Sequence, residues 1–170
     1  MDLDTIVATL DLAPHPEGGF YRETYRAPLL LPRAALGEAF GGDRNACTAI
    51  YFLVPRGTFS ALHRIAADEV WHHYAGAPLE VLSISAEGEL ERVVVGKDLA
   101  AGERPQHVVR AGAWFGSRMP DAVPPERGAW SLVGCTVAPG FDFADFELGD
   151  RAALVRAFPQ HRALIEALTR

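Results

Sequence analysis

From Cys47 to Val137 the chain is cut into short apolar, β-branched and aromatic runs, each ended by glycine, proline or a charged turn. Residues 48–54, 59–63, 69–74, 79–85, 90–95, 107–110, 113–115 and 130–137 all have this texture, and nothing between them carries a helical period. Parallel sheets need helical crossovers, so a doubly wound α/β fold is excluded. Antiparallel sheets closed into a sandwich or barrel remain. Helices are confined to the ends. Leu3, Ile6, Val7 and Leu10 stand at helical spacing before Pro14. At the other end, Asp150 is placed to cap a helix that Pro159 interrupts, and a second short helix follows from Arg162. Leu154, Phe158, Ile165 and Leu168 form the expected buried stripe of that tail. His15-Pro-Glu-Gly-Gly reads as a turn, residues 20–26 as a strand, and residues 33–45 as an irregular loop.

With 170 residues and 49% hydrophobic content, the chain suits one domain over residues 1–170, with a barrel core about 20–146 and C-terminal helices about 150–169. A net charge of −6 with dispersed basic residues argues against a nucleic-acid partner. No apolar run approaches the ~20 residues that span a bilayer, so no membrane partner is expected. The acidic start Met-Asp-Leu-Asp is unlike a secretory leader, which predicts a cytoplasmic protein. Cys47 and Cys135 lie in strand-like runs without metal spacing, and read as small core residues.

The chemistry concentrates between Gly57 and Gly76. Five residues separate Gly57 from His63, five separate His63 from Glu69, and six separate Glu69 from Gly76. Alternation along a strand puts Glu69, Trp71 and His73 on one face and Val70, His72 and Tyr74 on the other. Phe59, Ala61 and His63 would share a face of the preceding strand. An imidazole and a carboxylate facing each other in an apolar setting point to a site, since unpaired buried charge is costly. The bland alternative is a neutral histidine bonded to the carboxylate and tying two strands together. His72 reads as a sheet or interface residue. His15, His107 and His161 read as unremarkable, with His15 the foremost exception because it adjoins the glycine turn.

The Gly57–Gly76 spacing resembles the first motif of the cupin superfamily at four of its five fixed positions; Ile65 stands where a second histidine belongs. The resemblance implies an all-β cupin double-stranded β-helix, a jelly-roll barrel, with short N- and C-terminal helices. The second cupin motif, laid on Gly112, keeps only that glycine and puts Phe115 at the histidine. Two of the four usual metal ligands are thus apolar, so no metal and no cofactor is expected. A metal-dependent dioxygenase or isomerase using His63, Glu69 and His73 remains an alternative, as does a non-catalytic binding protein.

Residues 20–25, followed by strands and the glycine-to-His63 segment, also look like metal-free cupins that epimerise keto-deoxysugars attached to nucleotides. That resemblance implies His63 as base and Glu69 as its orienting carboxylate. It gives Arg22 and Glu23 a ligand-binding role, with Arg22 on an anionic group. Phe59, Trp71, His73 and Phe115 would be the walls. From Trp114 to Phe146 there is no tyrosine to act as the epimerases' acid. The segments 15–21, 68–72 and 137–146 together look most like an uncharacterised cupin branch. The leading expectation is a small-molecule isomerase or epimerase acting on a sugar-like or ring-bearing ligand. A homodimer is expected from the resemblance and from the exposed edge of the early strand.

Overall fold

The computed structural model describes residues 2–170, apart from the side chain of Pro125. Asp2 accepts a hydrogen bond from the Thr5 amide and so starts helix α1 (Leu3–Thr9), whose Ile6 is buried against Leu12 and Leu53. The strands are β1 (Ala13–Pro14), β2 (Phe20–Arg26), β3 (Leu30–Leu31), β4 (Arg44–Asn45), β5 (Thr48–Pro55) and β6 (Phe59–Arg64). They continue as β7 (Asp68–Gly76), β8 (Leu79–Ile84), β9 (Leu90–Val95), β10 (Gln106–Val109), β11 (Trp114–Arg118), β12 (Trp130–Ala138) and β13 (Glu147–Leu148).

The strands form a six-stranded sheet, β1-β2-β5-β12-β7-β10, and a five-stranded sheet, β13-β6-β11-β8-β9. Every named strand pair is antiparallel. The shared core holds Phe52, Val54, Trp71, Val81, Phe115 and Val133. This is the jelly-roll arrangement expected of the sequence. Residues 33–45, read above as an irregular loop, instead hold a short helix α2 (Arg33–Leu36) and β4, which pairs with β3. Arg44 anchors this excursion through a buried ion pair with Asp145, N···O 2.5 Å.

Helix α3 (Arg151–Ala157), capped by Asp150 on the Ala153 amide, and α4 (Arg162–Ala167) cover the outer face of the five-stranded sheet. Leu154, Phe158, Ile165 and Leu168 pack there on Leu62, Leu82 and Ile84. That face is therefore closed, and the space left for a ligand lies between the two sheets.

Two β-bulges set which side chains reach that space. On β6, His63 pairs with Phe115 and Ser60 with Ser117, so three residues of β6 span two of β11. On β2, Glu23 pairs with Ile50 and Tyr25 with Ala49, which leaves Thr24 as the extra residue. Each bulge reverses the alternation beyond it. Ser60 thereby joins His63, and Arg26 joins Glu23.

Candidate functional site

A cavity of about 470 Å³ opens between the sheets at one end of the barrel. Its walls are mostly apolar and aromatic, with Tyr21 from β2, Ile50 and Phe52 from β5, Val137 from β12, and Phe141 and Phe143 beyond it. Its polar groups are His15, Glu17, His63, Glu69 and Cys135 inside, with Glu23, Arg26, Thr48 and Asp142 completing the lining.

The turn at residues 15–19 enters the barrel wall and supplies two of the inner groups. Gly18 has φ +115°, and a Cβ there would lie 2.3 Å from the Phe59 carbonyl oxygen; at Gly19, φ +71°, it would lie 2.7 Å from that of Leu53. Only glycine fits so close an approach. The Ala61 amide donates to the Glu17 carbonyl at 2.8 Å, and the Arg170 guanidinium donates to the carbonyls of Pro16 and Glu17. Thus held, Glu17 points inward and is 6% exposed.

Glu17 Oε1 accepts from the Ser60 hydroxyl at 2.8 Å, and Oε2 lies 3.1 Å from His63 Nε2. His63 Nδ1 lies 2.8 Å from the Ala61 carbonyl oxygen, which can only accept, so Nδ1 carries a proton. One further proton is then shared between Nε2 and Oε2. Burial pushes the Glu17 carboxyl up to about 8, against the pull of Ser60 and Arg170, and burial pushes His63 down. Both shifts favour the neutral arrangement, in which Glu17 donates to Nε2. Burial likewise takes His15 down to about 4.

Glu69 sits on β7 across the cavity. Burial raises its carboxyl to about 7, with Glu17 adding to the rise and His63 and the Cys135 thiol opposing it. Burial and the neighbouring Glu69 push the Cys135 thiol well above its usual range. Cys135 is buried, as its strand texture predicted, but one side of it faces the cavity. The site therefore contains two carboxyl groups poised around neutrality in apolar surroundings.

Several sequence expectations are corrected by this geometry. The carboxylate that contacts His63 is Glu17; Glu69 lines the same cavity and acts on His63 through its charge. Phe59 packs on the helix side with Leu62, because the β6 bulge reverses its direction. Trp71 and Phe115 are 1% exposed and absent from the lining; they form the core beneath the cavity, and Phe115 lies 4.1 Å from the His63 ring, centroid to centroid. His73 shares a face with Glu69, yet at ~3.3 Å rise per residue it sits roughly 13 Å further along, and its ring nitrogen meets the Ala77 carbonyl. Arg22 points away from the cavity and pairs with Asp11. Glu23 does line the cavity, but both of its oxygens are taken by Arg26, at 2.9 and 2.7 Å.

His15 does face the cavity, beside Tyr21 at a centroid distance of 4.6 Å. The sequence reading missed Glu17, Ser60 and Arg26. The Glu-Gly-Gly triplet was the one available signal, since paired glycines after an acid mark a backbone that passes close to another strand.

The family model described as Cupin superfamily (DUF985) matches residues 4–149. The chain belongs to this family. An uncharacterized protein of Saccharomyces cerevisiae, YML079W, is 27% identical over 149 residues, covering 84% of this chain and 73% of that protein. A crystal structure of protein SO0799 from Shewanella oneidensis matches at TM-score 0.86 and 42% identity, covering 100% of this chain and 98% of that one. A hypothetical protein from Leishmania major matches at TM-score 0.90 and 36% identity, covering 99% of each chain. The oxalate decarboxylase of Bacillus subtilis is similar in fold alone, at TM-score 0.53 and 12% identity over 92% of this chain and 37% of that one.

Many cupins carry a metal, and the residues of this cupin do not fit one. Ile65 and Phe115, at two of the usual ligand positions, are buried in the apolar core, and His63 Nδ1 and Nε2 are both engaged. Among the described residues, no three His, Cys, Asp or Glu side chains are grouped as a metal would require. Among the same residues, no helix is long and apolar enough to cross a membrane.

Proposed function

We propose that this cupin is a metal-independent isomerase or epimerase that moves a proton next to a carbonyl group of a small ring-bearing molecule. The observation that carries the reading is that two buried carboxyls, Glu17 and Glu69, border one largely apolar cavity, where burial pushes them up to about 8 and about 7. Carboxyls separated in this way can divide the work of acid and base near neutral pH. Glu69, in its ionised form, takes the proton from the carbon beside the carbonyl. Glu17, in its neutral form, turns the proton it shares with His63 Nε2 to the carbonyl oxygen, and an enol results. With an α-hydroxy ketone, return of the Glu69 proton to the former carbonyl carbon, and recovery by Glu17 of a proton from the neighbouring hydroxyl, gives the isomeric carbonyl compound with both carboxyls restored. His63 shares the Glu17 proton through Nε2 and so holds that acid in place. The aromatic walls exclude water and seat the ring.

Solvent deuterium incorporation into a panel of keto-sugars and cyclic ketones, followed by mass spectrometry, tests this. Wild-type protein should exchange the carbon-bound proton, and Glu69→Gln should slow exchange by at least ~10²-fold while remaining folded. Equal exchange by both proteins would remove Glu69 as the base. The same proposal includes a homodimer formed along the open Arg22–Arg26 edge of β2, and a reducing, cytoplasmic setting that suits the two free thiols. A solution mass of 18.4 kDa by light scattering would count against the dimer.

A further inference from the structure

We infer that the cavity selects a ligand whose ring carries a protonated amine. The inference rests on the reading of this cavity as the working site, and it names the charge class of the molecule that enters. The residues facing the cavity include four acids, Glu17, Glu23, Glu69 and Asp142, against one guanidinium, Arg26. That guanidinium is bound through two nitrogens to Glu23, so it is not free to receive an anion. Arg22, the cation assigned above to an anionic group, is turned outward onto Asp11.

Glu69 is more than nine-tenths buried, borders the cavity, and has no cationic partner among the described residues. A phosphorylated or carboxylated ligand would bring a second negative charge beside it in a poorly solvated space, which is strongly unfavourable. A protonated amine meets the opposite conditions. It supplies the missing countercharge to Glu69, and the aromatic residues Tyr21, Phe52, Phe141 and Phe143 line the same cavity, where a ring face can attract a cation. The groups bearing on Glu69 are Glu17 from the 15–19 turn, His63 from β6 and Cys135 from β12, and none of them carries a permanent positive charge. Binding of an ammonium group should therefore favour ionised Glu69 and release its proton.

Isothermal titration calorimetry with benzylammonium, benzyl alcohol and benzoate decides the matter, because the three probes share a ring and differ in charge. At pH 7.5 benzylammonium should bind at least tenfold more tightly than benzyl alcohol, with benzoate weakest. Between pH 6 and 8 the benzylammonium affinity should rise roughly tenfold as Glu69 ionises. Glu69→Gln should bring the ammonium and alcohol affinities together. Phe141→Ala, which leaves every charge in place, should weaken benzylammonium a few-fold. Benzoate or benzyl alcohol binding as tightly as benzylammonium would overturn the inference, and so would failure of all three to bind. Binding is measured here without turnover and exchange is measured on uncharged ketones, so either proposal can fail while the other stands.

Discussion

Two buried glutamates at opposite ends of the barrel show how the same side chain serves different ends. Glu103 is 4% exposed and Glu69 is 8% exposed. Arg127 donates to Glu103 at 2.7 Å and the Asp98 amide donates at 2.8 Å. Burial would raise the Glu103 carboxyl, but these partners outweigh it and hold the group below its ordinary value. Glu69 receives no such cation, and burial carries it up to about 7. His73, on the same strand face as Glu69, belongs to the Glu103 end, where its charge acts on that carboxylate. At one end the buried acid is satisfied by its ion pair with Arg127. At the other, Glu69 borders a cavity with no cation paired to it among the described residues, an arrangement that stability alone does not favour.

Gly18→Ala should have the largest effect, because it strikes the turn that builds the cavity end. The added methyl meets the Phe59 carbonyl oxygen at 2.3 Å from a backbone with φ +115°. A loss of at least ~3 kcal/mol is expected from this clash and strain together, read by urea unfolding; a loss below ~1 kcal/mol would mean the turn is not tightly seated. Arg127→Met should lower the thermal midpoint less than that, but more than any neutralising change at Glu69, since it leaves Glu103 buried without its cation. A midpoint unchanged by Arg127→Met would erase the contrast between the ends.

The two ends should also respond to pH in opposite directions. Glu69 and Glu17 are raised above the ordinary 4.5, so their contribution is fully present below that value and is lost as pH climbs through about 7 and 8. Glu103 is lowered, so its contribution is present above its ordinary value and is lost as pH falls through its folded value. Glu69→Gln should therefore stabilise the protein at pH 8 by roughly 1–3 kcal/mol and leave it little changed at pH 5. Equal effects at both pH values would contradict the assignment.

The fold was legible because strand texture, turn residues and helix caps are local signals. His63 and Glu69 were legible as cavity residues for the same reason, since one short segment carries both. The remainder depended on features without a local signature. The single extra residues at Thr24 and within β6 reverse alternation, and so exchange Phe59 for Ser60 and bring in Arg26. Strand rise removed His73 from the site although its face was read correctly. Glu17 is 43 positions from Ser60, and only the folded turn brings them together. A turn residue became the partner of the histidine because its two glycines let the backbone pass where no side chain could.

Carbon-13 NMR titration of the glutamate carboxyls, assigned with Glu17→Gln, Glu69→Gln and Glu103→Gln, bears most directly on the central claim. Glu69 should titrate near 7 and Glu17 near 8, with Glu103 below 4.5 in the same sample. Titration of Glu17 and Glu69 at ordinary carboxylate values would show the cavity end to be as well satisfied as the other, and the account would be wrong.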